Sequence, residues 1–435
     1  MQLSVGIKYC FHPENMAKTI KIKEEVEDFI VQEIVEDRKC TIGPIVNLEK
    51  FYEAEKLFNT QLDDSLGKED RRKLYDIARY HPFKRMFTDN GKLHIKDDST
   101  DIFVFTLLKY DYSDHSAQNL LSKRLNIPLA CIQTGGTKDK RAITLQEVSV
   151  KCSFEALFNY ALSLSKNSKI KFKDLGYCAE LENLNATAAH AFNNYMRIET
   201  LSFQEEIGIY NIRRGSSKKL GDLSGNYFTI KVRNFFTDSP VSTKFYNYFG
   251  PQRFGNNRNN HIIGEKILNG QYEEAIELIL KDDAGSETNP GTIKKFIQNM
   301  IENYKKPKYI VEHLSRRSLM IYLHAYQSYI FNMSINSRVE ANKPDMECDR
   351  VLKDGEFVDA TGNESLEEVY IPLKKMNHKL LKGGMRKMIE KISDFEKSVD
   401  DEGTVFKFFL LKSCYATVAL REIAQIIEDD SKQNS

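Results

Sequence analysis

The stretch Gly135-Gly136-Thr137-Lys138-Asp139-Lys140-Arg141 sets a single carboxylate among three cations, directly after two glycines and just before an apolar run. Paired glycines permit positive φ in a tight turn. Lys138 and Arg141 favour an ionised Asp139 and would draw a phosphate backbone toward it. A carboxylate so placed suits nucleophilic or base chemistry on a nucleic acid; the plainer reading is an ordinary exposed turn. The stretch is not a phosphate loop, because no Gly-Lys-Ser/Thr follows four residues after a glycine. A second stretch, Asn247-Tyr248-Phe249-Gly250-Pro251-Gln252-Arg253-Phe254-Gly255-Asn256-Asn257-Arg258, interleaves aromatics, amides, arginines and glycines. That mixture fits a loop that stacks a base and hydrogen-bonds its edge, or a structural loop that packs its aromatics into a core.

The elements around these stretches read as a mixed α/β pattern. Lys21 to Glu36 passes from charged residues into β-branched and aromatic ones, a turn entering a strand. Residues 46–60 and 68–75 read as helices. The run 102–108 is a strand, and Leu120, Leu121 and Leu125 fall on one stripe of a helix over 116–125. The run 142–150 is a strand, followed by a helix over 153–165 capped by Ser153. The stretch 185–214 is expected to be partly helical, and 226–233 alternates as a strand. Helical periodicity then covers 262–268, 272–280, 293–304 and about 315–338. A strand-rich patch lies at 350–373 and a basic stretch at 374–391. Strand character is expected to return only at 405–411, before a closing helix over 417–427.

Length and composition bound the rest. At 435 residues, two or three compact units are expected. A formal charge of +1, from 63 basic and 62 acidic side chains, gives the chain as a whole no pull on polyanions, so any such site must be a local patch. Basic clusters stand at Arg213-Arg214, Lys218-Lys219, Lys305-Lys306 with Lys308, Arg316-Arg317 and 374–391. No apolar run reaches the ~20 residues of a membrane span, and the first residues have no leader pattern. Seven scattered cysteines without a Cys-x-x-Cys indicate free thiols inside a cell. Nine dispersed histidines offer no paired ligand spacing, so no metal site is expected.

Both chemistry-bearing stretches, and three further runs, resemble the TruD family of pseudouridine synthases. The family pattern Gly-x-Lys-Asp-x-x-Ala-x-Thr-x-Gln stands complete at Gly136 to Gln146, and Asn-Tyr-Phe-Gly-x-Gln-Arg-Phe-Gly at Asn247 to Gly255. Lys23 with Glu27-Asp28-Phe29, the run Leu220 to Ile230, and Ser413-Cys414-Tyr415-Ala416-Thr417 with Arg421-Glu422 match further patterns in order. The segments at 71–75 and 325–331 look like the eukaryotic branch. The resemblance implies an α+β fold: a catalytic core with a mixed sheet and flanking helices over 1–262 and 400–435, interrupted by a mostly helical insert over 263–399. It implies isomerisation of uridine to pseudouridine without metal or other cofactor, by a monomer in the nucleus or cytoplasm. The implied substrate is tRNA, at D-arm position 13, with small nuclear RNA and mRNA as further targets. An inactive RNA-binding protein of the same fold is the alternative. The implied catalytic group is Asp139, with Lys23 beside it; Phe29, Asn247, Phe249 and Tyr415 lie around the base, and Lys138, Arg141, Gln252 and Arg253 complete the substrate contacts. Two departures bear on substrate choice. Lys109-Tyr-Asp-Tyr-Ser-Asp114 stands where Lys-x-Asn-x-Asp-Thr is usual, and only 13 residues separate Arg233 from Asn247 while 152–219 is long.

Overall fold

The computed structural model describes residues 2–59, 65–98, 100–166, 207–237, 241–255, 257–281, 290–376, 378–381 and 383–427. The chain divides into two compact units, one of residues 23–231 and the other of residues 1–22 with 232–435.

In the 23–231 unit, β-branched and aromatic runs form a mixed sheet in the order Gly225–Arg233, Phe29–Val35, Ile143–Ser153, Thr100–Tyr110 and Ile207–Arg214. Phe29–Val35 and Ile143–Ser153 run parallel, with Ile30 opposite Ile143; the remaining neighbours are antiparallel. The central strand Ile143–Ser153 is buried along almost its whole length, as a strand covered on both faces must be. Phe103, Phe105, Leu107, Val148 and Val150 face one core together with Leu121 and Leu157 of the helices Asp114–Leu125 and Phe154–Lys166. Leu108, Ile143, Leu145 and Tyr210 face the opposite way, as the two-residue period requires, and pack with Ile42. A small satellite core of Ala54, Phe58, Ala78, Met86 and Leu93 joins the helices Leu48–Phe58 and Lys68–Ala78 to the hairpin Lys84–Asp89 and Lys92–Asp97.

The other unit carries in its long segment the helices Asn260–Leu268, Tyr272–Lys281, Pro290–Glu302, Pro307–Glu312 and the 26-residue Arg316–Ala341. Ile263, Ile267, Ile276, Ile279, Ile297 and Leu323 fill their core. Gly264 is the residue that lets two of these helices meet, because a Cβ there would stand 2.2 Å from the Tyr322 carbonyl oxygen. A four-stranded antiparallel sheet of Glu356–Asp359, Arg350–Lys353, Val369–Leu373 and Gly384–Lys387 follows. Lys244–Tyr246 pairs with Ile389–Lys391, and Ser393–Asp400 with Gly403–Leu411.

Three expectations differ from the structure. Ile207–Arg214 is a strand rather than part of a helical stretch; residues 167–206 lie outside those described. The basic stretch 374–391 contains the strands Gly384–Lys387 and Ile389–Lys391, and Ser393–Asp400 precedes the expected return at 405. Their many charged residues conceal a pattern in which Arg386 and Ile389 are the buried positions. The closing helix is short: Ala416–Ala419 gives way to a 3-10 turn and then to Gln425–Ile427, which adds as a parallel strand to Thr19–Lys21.

Candidate active site

The parallel pairing of Phe29–Val35 with Ile143–Ser153 makes both strands start from the same edge of the sheet, so the segments leading into them meet there. One holds Lys23 and the other Asp139. The Lys23 ammonium donates to Asp139 Oδ1 at 2.9 Å and lies 4.2 Å over the Phe29 ring. Lys23 itself sits at φ 60, in the left-handed region, a strained conformation for a lysine. Arg141 fixes it there, donating from its guanidinium to the carbonyls of Lys23 at 2.9 Å and Glu24 at 2.8 Å. The Asp139 side chain is 34% exposed. Burial works against its charge, but the Lys23 ammonium, by charge and by hydrogen bond, outweighs this with help from Lys109 and Lys138. The carboxyl is held below its ordinary range and is ionised at neutral pH.

The loop that carries Asp139 is braced from below. Lys138 turns inward, where its ammonium pairs with the buried Glu33 at 3.1 Å and its backbone N–H donates to Asp114 Oδ2 at 2.8 Å. Glu33 also accepts the Glu147 backbone N–H at 2.7 Å. Asp114 is in turn ion-paired to Lys109, whose side chain has no exposure and donates to the Tyr112 carbonyl at 3.2 Å. Lys138 and Arg141, expected beside the RNA, are both engaged with the protein. Two basic clusters of the sequence are engaged likewise: Arg213 and Lys218 pair with Glu147, and Arg214 pairs with Asp101 at 2.7 Å.

In the other unit, Asn247-Tyr248-Phe249 forms a tightly held corner. Asn247 is 3% exposed. Its amide donates to the Lys387 carbonyl at 3.1 Å and its Oδ1 accepts from Arg386 at 2.6 Å. Arg386, 7% exposed, also donates to the Asn247 carbonyl at 3.1 Å and the Ser413 carbonyl at 2.8 Å, and its guanidinium lies 4.2 Å over the Phe249 ring. Phe249 meets Phe331 and Tyr415 edge-on at 5.3 and 6.2 Å, while Asn332 accepts its backbone N–H at 2.8 Å. Tyr415 lies flush against Gly250, where a Cβ would come within 2.7 Å of the ring. Gln252 is exposed and accepts from the Thr417 hydroxyl at 3.2 Å. Arg253 reaches Ser328 at 3.3 Å, with Phe249 5.8 Å from its guanidinium.

The structure therefore gathers Lys23, Phe29, Lys138, Asp139 and Arg141 in one unit and Asn247, Phe249, Gln252, Arg253 and Tyr415 in the other. Sequence reasoning missed Glu33, Asp114, Asn332 and Arg386. Only Asp114 left a trace, as part of the departure at 109–114; an arginine among many cations announces nothing. Among the described residues, no three His, Cys, Asp or Glu side chains are placed to hold a metal ion, and no helix is long and apolar enough to cross a membrane.

Comparison with known proteins gives these clusters a setting. The family described as TruD: tRNA pseudouridine synthase D matches residues 155–295 and 289–370. A protein of Pyrococcus furiosus named probable tRNA pseudouridine synthase D is 26% identical over 404 residues, covering 74% of this chain and 88% of its own. The human pseudouridylate synthase 7 homolog is 28% identical over 348 residues, 70% of this chain and 47% of that protein. A crystal structure of a TruD protein from Methanosarcina mazei shares the fold across 97% of both chains, with a TM-score of 0.52 at 18% identity. The complete motifs at 136–146 and 247–255, the family match and these relatives agree: the chain belongs to the TruD family of pseudouridine synthases.

Proposed function

We propose that this chain isomerises uridine to pseudouridine in tRNA, with Asp139 as the catalytic carboxylate. The observation that carries the reading is the Lys23–Asp139 pair on its braced loop. The reaction breaks the C1′–N1 bond, turns the freed uracil and joins C5 to C1′, while the proton lost from C5 is balanced by one gained at N1. A carboxylate ionised at neutral pH can meet the electron-deficient C1′ as the bond opens. Lys23 keeps Asp139 in that state, and the fixed loop spares the reorganisation a mobile side chain would need. In this reading Lys138 and Arg141 are braces of the loop. Phe29, Asn247, Phe249 and Tyr415 keep the roles around the base that the resemblance gives them, with Gln252 and Arg253 as further RNA contacts. Position 13 of the D-arm is the proposed target, small nuclear RNA and mRNA are proposed further substrates, and the enzyme is proposed to work as a monomer in the nucleus or cytoplasm. The division into a catalytic domain over 1–262 and 400–435 with an insert over 263–399 belongs to the same proposal.

The test is Asp139→Asn, nearly isosteric but unable to act as nucleophile or base. Single-turnover pseudouridine formation on a transcribed tRNA should fall ~10⁴-fold or more, with RNA affinity little changed. A rate near wild type overturns the assignment. Mapping pseudouridines in cells with and without the protein tests the choice of substrate.

A further inference from the structure

One basic cluster of the sequence is not absorbed by the protein itself. Between Tyr304 and Arg317 the chain carries Lys305, Lys306, Lys308, Arg316 and Arg317 against a single carboxylate, Glu312, and all five cations are exposed. Glu312 comes no nearer than 4.0 Å to Lys308. Aromatic rings stand among the charges. Tyr309 stacks on His313 with centroids 3.8 Å apart and planes at 22°, and the Lys305 ammonium lies 5.4 Å from the Tyr309 ring.

Two features of this segment are unfavourable for the fold taken alone. Tyr304 ends the helix Pro290–Glu302 at φ 54. Its amide donates to the Ile301 carbonyl at 2.9 Å, and the Lys305 amide reaches back to Met300 at 3.0 Å. That left-handed helix end is one glycine or asparagine normally takes. A tyrosine there strains the backbone, yet its ring is 95% exposed and packs on nothing that would compensate. Arg316 and Arg317 stand in the first turn of Arg316–Ala341, where the helix dipole presents its positive end and disfavours cations. An RNA offsets both, because phosphates neutralise the cations and an unpaired base stacks on an exposed ring. An acidic protein would answer only the charges.

We infer that residues 304–317 form a second RNA-contact surface, with an unpaired base stacked on Tyr304 and neighbouring phosphates held by Lys305, Lys306, Lys308, Arg316 and Arg317. The inference rests on the proposed action on RNA and adds to it a contact remote in sequence from Asp139.

The test uses the full chain and a transcribed tRNA. Tyr304→Gly removes the ring and relieves the left-handed backbone. It should weaken RNA binding ~5- to 150-fold, as loss of one stacked base does, without lowering the melting temperature. Replacing Lys305, Lys306 and Lys308 together by Gln should reduce the slope of log affinity against log salt by about 2, at roughly 0.7 per lost phosphate contact. Both variants should keep the wild-type single-turnover rate at saturating RNA. Unchanged affinity for Tyr304→Gly overturns the inference, whatever the lysine variant does, and so does a loss of affinity that accompanies a loss of folding. Wild-type protein that forms no pseudouridine while these binding effects hold would sink the proposed reaction and leave the surface standing.

Discussion

Asp114 offers the perturbation whose size follows most directly from geometry. Its carboxylate pairs with the wholly buried Lys109 and accepts the Lys138 backbone N–H at 2.8 Å. Asp114→Ala strands a buried ammonium and an amide together. Breaking a buried pair from one side costs about 3–5 kcal/mol, and an orphaned buried N–H about 1–3 kcal/mol. Because the two share one carboxylate, about 4–6 kcal/mol is expected, a large part of the ~5–15 kcal/mol that holds a typical protein folded. Lys109→Met combined with Asp114→Ala removes the stranded charge and leaves the amide, so the double variant should lose only about 1–3 kcal/mol. The two changes must therefore couple by at least about 1 kcal/mol, before any cost of Lys109→Met alone is counted. Urea denaturation measures this by far-UV circular dichroism, since the chain has no tryptophan. Single-variant losses that add to within about 0.5 kcal/mol of the double refute the reasoning. The double variant should also remain slower than wild type at saturating RNA, because the residue before Asp139 has lost its tether.

Two further outcomes follow from burial. Burial lifts the Glu422 carboxyl to about 7, although the backbone N–H groups of Phe11 and His12 donate to it. The folded state thus holds a proton there that the unfolded chain, near 4.5, has released. The stability this confers is full below the unfolded value and is lost as pH rises through the folded one. Glu422→Gln should gain on wild type in melting temperature from about pH 5 to about pH 8, and a constant difference between them contradicts this. Arg386 spans three acceptors, Asn247 O, Asn247 Oδ1 and Ser413 O, which a planar fork can reach and a single ammonium cannot. Arg386→Lys and Arg386→Met should each cost about 3–5 kcal/mol; recovery of more than half the loss by Lys would show that charge alone suffices.

Much of the fold was legible where periodicity was strong. The helix expected over 116–125 lies within Asp114–Leu125, the strand expected over 226–233 within Gly225–Arg233, and the Ser153 cap stands where the residues indicated. The strands between 384 and 400 were hidden, because their faces carry lysine and glutamate and only single positions such as Arg386 and Ile389 are buried. Within the candidate site, Asp139 and Lys23 were identifiable by their motifs. Glu33 was not, since a glutamate in a β-branched strand reads as an outward position until the sheet shows it 1% exposed beneath Lys138. Lys138 and Arg141 were visible in sequence by their motif spacing, but the direction their side chains take depends on partners a hundred residues away.

The braces under the Asp139 loop also bear on how such a sequence can change over time. Glu33, Lys109, Asp114 and Lys138 satisfy one another's charges and amides in two linked pairs, so replacing any one strands another. Stepwise drift at these positions must cross less stable intermediates, whereas paired exchanges need not. A combinatorial library varied at all four positions at once should recover folded, active members that no series of single substitutions would reach.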